Sequence, residues 1–369
     1  MGVSGGVDSS VALTLLKKDG YDVIGVFLKV WHPDFLPCDW KEERRSAMRV
    51  CATLGVPFLT MDCEAEYKKE VVDYMIAEYR VGRTPNPDVF CNKYVKFGVF
   101  LKKALALGAD FVATGHYAQV CQGLPLTCEA KCQRESLTQT LELHEAVDDN
   151  KDQSYFLYTL NQNQLSRTLF PIGGLTKPEV RKLAEKFGLS TATKKDSQGV
   201  CFLENIDMKD FLSRFIETEK GDVLNTRGEK IGWHDGAVFY TIGERHGFII
   251  TKKSPSDNRL FVVAKDLEKN TITVADKKTE NDAIYSIKEI VVKNLHFVSG
   301  KKEDEEKENL ECQVRIRYRQ EKQKCSVSKK SDGWHITFAE PQNGVALGQS
   351  AVLYDHSLCL GGGIIDGVQ

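Results

Sequence analysis

Apolar and polar positions follow two textures along this chain. From Ser9 to about Leu203, short apolar runs alternate with segments of helical period. Residues 22–30 (DVIGVFLKV) read as a buried strand, 41–54 as a helix and 56–61 as a strand, followed by helices over 64–79 and 92–107 and a strand over 110–114. Such alternation predicts a parallel sheet covered by helices, with ligands at the carboxyl ends of the strands. Residues 119–142 break the pattern and read as an insertion. Thr176-Lys177-Pro178-Glu179 opens a helix that runs to Gly188. After Phe202 the texture changes to glycine-punctuated short strands up to about Ala264. From Thr271 onward, β-rich runs at 271–275, 290–295, 312–318 and 334–338 predict a terminal barrel or sandwich, with the charged run 301–308 as a solvated loop. The expected fold is α/β in three domains: a parallel-sheet domain over 1–203, a small central β-rich domain over 204–270 and a C-terminal β-barrel over 271–369.

Composition narrows the class without naming a chemistry. The chain has 369 residues, 41% hydrophobic and 28% charged, in the range of soluble globular proteins. No run reaches the ~20 apolar residues of a membrane span, and the first residues lack the basic and apolar segments of a signal peptide, so no membrane association and a cytoplasmic location are expected. Eleven irregularly spaced cysteines make no disulfide framework, and no CxxC pair offers a zinc site. The net charge of −2 is silent on nucleic acid.

Two places carry candidate chemistry. Ser4-Gly5-Gly6-Val7-Asp8-Ser9-Ser10 runs directly into an apolar helical pattern. Its glycines let successive N–H groups converge on an anion, its serines add donors, and the helix points its positive end to the same spot. This phosphate cradle lacks the Gly-Lys-Ser/Thr ending of a Walker loop, and an acidic Asp8 inside it points to action through Mg²⁺. The second place is a pair of cysteines. Cys91 follows Thr84-Pro85-Asn86-Pro87-Asp88 at an expected helix start with Lys93 and Lys96 nearby, a setting that favours thiolate. Asp88 lies close enough in sequence to exchange a proton with a substrate. Cys201 sits in Lys194-Lys195-Asp196-Ser197-Gln198-Gly199-Val200-Cys201, again flexible and electropositive.

SGGVDSS resembles the PP-loop signature of the ATP pyrophosphatases, which cleave ATP between its α and β phosphates. TPNPDVFCNKYVKFG, ATGHYA (113–118), DNKDQSYFL (149–157), FPIGGLTKPEVRKLA (170–184), KKDSQGVCF (194–202), YTIGERHG (240–247), RIRYRQ (315–320) and LGQSAVLYDHSLCLGGGII (347–365) resemble, in order, the strings of the tRNA-specific 2-thiouridylases. That resemblance implies an adenine-nucleotide-alpha-hydrolase-like (PP-loop) first domain and an ATP-dependent sulfurtransferase acting on the wobble uridine of tRNA. It implies that ATP is bound by Gly2, Val3, Ser4, Gly5, Gly6, Val7, Asp8, Ser9, Leu28 and Gly115, with Mg²⁺ held in part by Asp8. Cys201 matches the persulfide carrier, Cys91 its partner nucleophile in a transient Cys91–Cys201 disulfide, and Asp88 the acid/base. Asn86, Pro87 and Asp88 match the target-base pocket, and His116, Lys151, Asp152, Gln153, Arg317, Tyr318 and Gln349 match tRNA contacts. A cysteine desulfurase or sulfur-relay protein is the implied donor and a monomer the implied state. Whether the persulfide attacks directly or Cys91 first releases sulfide stays open.

Three departures bear on the expectation. Family members carry a hydrophobic strand before the loop, whereas Met1-Gly2-Val3 is all this chain offers. Either the start lies further upstream, or the central strand is missing and the sheet is weakened, in which case an N-terminal extension raises stability and activity. Gln119 stands where arginine is usual and Glu244 where glutamine is usual. Rival readings are an amidotransferase-type ligase, for which no glutaminase module is recognisable, and a silent tRNA-binding protein that kept the fold. Local charge favours RNA: residues 312–330 hold seven basic side chains against Glu321 alone, so Arg315 and Arg317 are expected to face phosphates and to make binding salt-sensitive.

Overall fold

The computed structural model describes residues 1–35, 40–122, 140–195, 207–251, 259–276, 286–306 and 308–369. In the N-terminal domain β1 (Gly25–Lys29) pairs in parallel with β2 (Phe58–Asp62), and β3 (Val112–Ala113) pairs in parallel with β6 (Thr168–Leu169). Residues 1–3 join these two pairs. The Val26 amide donates to the Met1 carbonyl (2.8 Å), Val3 donates to Val26 (2.9 Å), and on the other edge Gly2 donates to Ala113 (2.8 Å). Met1-Gly2-Val3 thus occupies the centre of the sheet, bonded on both sides, at the place where the family carries its first strand.

The helices Val7–Lys18 and Lys177–Lys186 cover one face of this sheet and bury Val11, Leu13, Ile172, Val180 and Ala184 in a common core. The Thr176 amide and hydroxyl both donate to Glu179 Oε2 (2.7 Å each), and the capping box they complete starts the second helix as its sequence predicts. The two long helical stretches, 64–80 and 87–106, contain wide π-type turns at Lys68–Asp73 and Cys91–Phe100. The second begins earlier than its periodicity predicts, because Pro87 fits the first helical position and the Asn86 side chain accepts from the Val89 amide (3.4 Å).

Where an insertion was expected, β4 (Gln119–Gln122) and β5 (Leu141–His144) form an antiparallel pair, and residues 123–139 lie outside the described residues. The central domain is a sheet of β7 (Gly221–Leu224), β8 (Lys230–His234), β9 (Ile249–Ile250), β10 (Leu260–Asp266) and β11 (Thr271–Asp276), ordered β10-β11-β7-β8-β9. Strand β11 was expected to open the terminal barrel. It pairs instead with β10 and β7, and its inward Ile272 and Val274 share a core with Val223, Val262 and the Tyr67–Met75 face of the first long helix. Alternation marks such a strand but does not name its partner.

The C-terminal domain is a closed antiparallel barrel of six strands: β12 (Ile287–Phe297), β13 (Asn309–Arg315), β14 (Gln323–Lys330), β15 (Gly333–Gln342), β16 (Ser350–Asp355) and β17 (Leu358–Val368), ordered β12-β15-β14-β13-β16-β17 and closed by β12 on β17. At one end β17 continues into β5, with Leu358 beside His144, so the barrel sheet reaches into the first domain. Two readings change. Strand β13 ends at Arg315, which places Arg317 and Tyr318 in the turn beyond it, where Arg319 adopts φ 64°. The charged run forms a short helix at Lys302–Glu305 rather than a loop.

An ion cluster around one buried histidine crosses a seam of the barrel. His335 on β15, 2% exposed, lies between Glu289 of β12 (2.6 Å) and Asp332 (2.8 Å), while Thr337 and Lys330 also bind Glu289. The hydrogen bond from Glu289, against the cost of burial, raises the His335 pKa, and the same bond lowers Glu289 to about 2. The histidine's stabilisation is complete below its ordinary value of 6.5 and lost as pH rises through the raised one. That of Glu289 is complete above 4.5 and lost as pH falls toward 2. The urea midpoint of wild type should therefore exceed that of His335→Gln most between pH 4.5 and 6.5, the gap narrowing on either side. A gap independent of pH would show that the cluster is not charged.

Candidate active site

The phosphate loop leaves the sheet centre directly after Val3. Gly5 adopts φ 77°, and a Cβ there would lie 2.6 Å from the Glu43 carbonyl oxygen, so the turn requires glycine. Ser4 and Gly6 donate their amides to the hydroxyls of Ser9 and Ser4 (3.2 and 3.3 Å), and the hydroxyl of Ser10 donates to Gly6 (2.7 Å). These bonds hold the loop open over the first turn of Val7–Lys18. Gly115, just past β3, packs against that turn so closely that a Cβ would lie 2.7 Å from the Ser9 nitrogen. Both the turn of the loop and its close contact with the segment after β3 therefore depend on glycine. Leu28 sits near the carboxyl end of β1, half-buried between two hydrophobic clusters.

Asp8 does not stand alone in this loop. Both of its carboxylate oxygens accept from Lys177 Nζ (2.7 and 2.8 Å), and Oδ1 also accepts from the Tyr117 hydroxyl (2.8 Å). Among the described residues no three His, Cys, Asp or Glu side chains converge as a metal cage. A single carboxylate at a phosphate cradle suits Mg²⁺, which keeps several waters and takes its remaining ligands from phosphate oxygens.

The second centre lies at the head of the helix 87–106. Cys91 is 5% exposed and packs into the core shared with the central domain, while Val89, two residues earlier, packs into the core shared with the barrel. Burial raises the Asp88 pKa, with Lys96 opposing, which favours the protonated form of this half-buried carboxyl. Lys96 Nζ lies 3.3 Å from His116 Nε2, and Thr114 Oγ1 lies 2.7 Å from Nδ1. Burial and then Lys96 depress the His116 pKa well below the usual value, which keeps the ring neutral. With Lys96 donating to Nε2, the ring proton sits on Nδ1 and points at Thr114. Gly115 and His116 therefore connect the two centres: one residue touches the phosphate loop and the next touches the helix that carries Asp88 and Cys91.

The loop before Cys91 is held from all three domains. Arg83 binds Glu78 (2.7 Å) and Asp366 of β17 (2.7 Å), and Thr84 donates its amide to Leu347 (2.8 Å) and meets the Thr241 hydroxyl (3.1 Å). Gln349 donates to the carbonyls of Thr84 (3.0 Å) and Pro85 (3.2 Å), so this residue, expected at tRNA, positions Asn86, Pro87 and Asp88. Cys201 and Asp196 lie outside the described residues. Lys194, at the start of their string, donates to the Gly5 carbonyl (3.3 Å) and so starts that string at the phosphate loop.

The other expected tRNA residues divide. Lys151 is half-buried in a turn capped by Asp148, and Gln153 exchanges two hydrogen bonds with the Tyr117 backbone (2.8 and 3.0 Å). Tyr318 rests against Phe156, ring centres 4.4 Å apart, and Arg317 reaches the Ile242 carbonyl of the central domain. Glu244 is half-buried beside Lys265 and Arg317, and Gln119 donates to the Glu145 carbonyl (3.0 Å). Asp152 is 3% exposed and binds the Ala146 amide (3.0 Å), the Ser154 hydroxyl (2.8 Å) and Arg315 (3.2 Å). Arg315 also binds Glu145 (2.6 Å), which holds Lys322 as well (2.6 Å). The expectation that Arg315 faces phosphates is thereby corrected: its charge is spent on two buried carboxylates. Lys177, Tyr117 and Arg83 were not singled out from sequence, and Lys194 only as an electropositive neighbour of Cys201; for Lys177 the position beside Pro178 signalled a helix start rather than a site.

Fold and site together define a nucleotide-binding α/β protein of the PP-loop type with two β domains appended. The tRNA methyl transferase HUP domain model matches residues 1–205, the tRNA methyl transferase PRC-barrel domain model 209–276 and the aminomethyltransferase beta-barrel domain model 287–365. The chain is 44% identical over 369 residues to the tRNA-specific 2-thiouridylase MnmA of Streptococcus thermophilus, covering 99% of this chain and 94% of the relative. It is 42% identical over 371 residues to the MnmA of Listeria innocua, covering 100% and 94%. The chain belongs to the tRNA-specific 2-thiouridylase MnmA family.

Arg315→Ala leaves Asp152 buried without its cation and should cost about 3 kcal/mol or more of stability, read as a lower urea midpoint. An unchanged midpoint would return Arg315 to the phosphate-facing surface.

Proposed function

We propose that this chain activates the C2 oxygen of a tRNA wobble uridine with ATP and replaces it with sulfur. Membership of the thiouridylase family supports a tRNA-modifying transferase. The observation that carries the finer reading is the short link from phosphate loop to thiol: Gly115 lies against Ser9, and His116 lies against Lys96 on the helix headed by Asp88 and Cys91.

Replacing a carbonyl oxygen with sulfur needs a leaving group made from that oxygen. Attack of the C2 oxygen on the α phosphate supplies one and releases pyrophosphate, so a phosphate cradle beside a thiol is coherent chemistry. Ser4 to Ser9 and Gly115 would hold the nucleotide. Asp8 would hold Mg²⁺, which neutralises phosphate charge when bound. Asn86, Pro87 and Asp88, fixed by Gln349 and Arg83, would line the pocket for a base extruded from its stack, at a cost of a few kcal/mol that pocket contacts offset. Asp88 would move the proton of the base. The terminal sulfur of a Cys201 persulfide then bonds to C2, the C2–O bond breaks and AMP leaves with the oxygen. Cys91 closes a disulfide with Cys201 as that sulfur departs, either onto C2 directly or first as sulfide, and an external thiol reduces the disulfide. A cysteine desulfurase or sulfur-relay protein would reload Cys201. Among the described residues no helix is long and apolar enough to cross a membrane.

The test is ATP-dependent thiolation of unmodified tRNA with a persulfide source, read by thiol-sensitive gel retardation. Wild type should shift the tRNA, while Cys91→Ser, Cys201→Ser and Asp88→Asn should lower the rate at least about a hundredfold. No shift with wild type would sink the transferase reading, and a shift surviving Cys201→Ser would remove the assigned sulfur carrier.

A further inference from the structure

Asp8 is the acidic residue of the phosphate loop, yet its carboxylate already has a cation. Lys177 Nζ binds both oxygens, at 2.7 and 2.8 Å, and the Tyr117 hydroxyl takes a further position on Oδ1 at 2.8 Å. Three hydrogen bonds occupy most of the ~4 lone-pair sites of a carboxylate. The lysine is 9% exposed, and its main chain is anchored: its amide donates to Asp148 Oδ2 (2.8 Å), Thr176 and Glu179 cap the helix before it, and Pro178 follows. The anchor fixes the Cα, and a flexible four-carbon stem separates it from the ammonium.

A divalent cation and the ammonium compete for this carboxylate, because both are positive and both seek its few oxygen lone pairs. A metal on Asp8 repels the ammonium, which, once displaced, stands beside the cradle built from Gly5, Gly6 and the first turn of Val7–Lys18. We propose that Lys177 is an exchangeable counter-cation of the phosphate loop, which competes with a divalent cation for Asp8 and, once displaced, binds the phosphate oxygens of the nucleotide. Two consequences follow. The lysine keeps metal affinity low until a polyphosphate arrives to receive the ammonium, and metal and nucleotide then bind with positive coupling. This inference rests on the nucleotide-binding reading of the loop.

The experiment is calorimetric titration of the full chain with Mn²⁺ alone, with ATP in excess chelator and with ATP plus Mg²⁺, for wild type, Lys177→Met, Asp8→Asn and the double variant. Lys177→Met should bind Mn²⁺ about tenfold more tightly and chelated ATP about tenfold more weakly than wild type. Asp8→Asn, which lets go of the lysine, should bind chelated ATP more tightly than wild type, and adding Lys177→Met should abolish that gain. The double variant buries no unpaired charge, so the comparison with Asp8→Asn stands even if Lys177→Met alone folds poorly. Equal ATP affinity of Asp8→Asn and the double variant would overturn the proposal, as would unchanged Mn²⁺ affinity in a folded Lys177→Met. Failure of wild type to bind ATP at all would overturn the nucleotide reading itself, a result distinct from ATP binding that ignores Lys177.

Discussion

The two-edged backbone pairing of residues 1–3 is the interaction on which the rest of the first domain depends. Three hydrogen bonds of 2.8–2.9 Å tie this tripeptide to Val26 on one side and Ala113 on the other. Without it the β1–β2 and β3–β6 pairs are separate fragments with four open edges. With it, the phosphate loop leaves from the middle of one sheet, and the residue after β3 that packs on the loop comes from the adjacent strand. Met1 and Val3 are both buried, which adds apolar contact to the ladder. The cradle is thus as well placed as its three-residue support.

The reactive helix is fixed by a different principle. Residues 83–91 are gripped at Arg83 by β17, at Thr84 by the Leu347–Gln349 loop and Thr241, and at Asn86 by its own cap. Val89 and Cys91 then enter two different cores on opposite sides of the helix head. Neither β domain need touch a reacting atom to matter, since a shift of either would move Asp88 and Cys91. This division ties both β domains to the placement of Asp88 and Cys91.

Charge is distributed by the same logic. The basic segment after β13 suggested a phosphate-binding face, yet Arg315 and Lys322 neutralise Asp152 and Glu145 beneath Tyr354, and Lys330 belongs to the His335 cluster. In the turn beyond β13 Arg317 holds the Ile242 carbonyl and Arg319 the Asn150 carbonyl, while Lys324 and Lys329 point outward. Counting basic residues along a strand overstates the field, because buried carboxylates from distant segments claim part of it.

Local information sufficed wherever a residue type answers to its own backbone. Gly5, at φ 77°, announces a tight turn, Thr176 with Pro178 and Glu179 announces a helix start, and the alternation of apolar positions marked most of the strands. Partners were beyond its reach. That β11 joins β10 to β7 in the central sheet, that residues 1–3 pair with both Val26 and Ala113, and that Gln349 holds the loop before Asp88 are facts of pairing between segments far apart in the chain. The same holds for Lys177, which as a sequence feature begins a helix and in the folded protein neutralises Asp8, 169 positions away. Periodicity and turn chemistry are properties of neighbours along the chain, so the sequence determined the elements and the reactive residue types. Which side chains meet depends on how those elements pack, and the tertiary structure alone decided that.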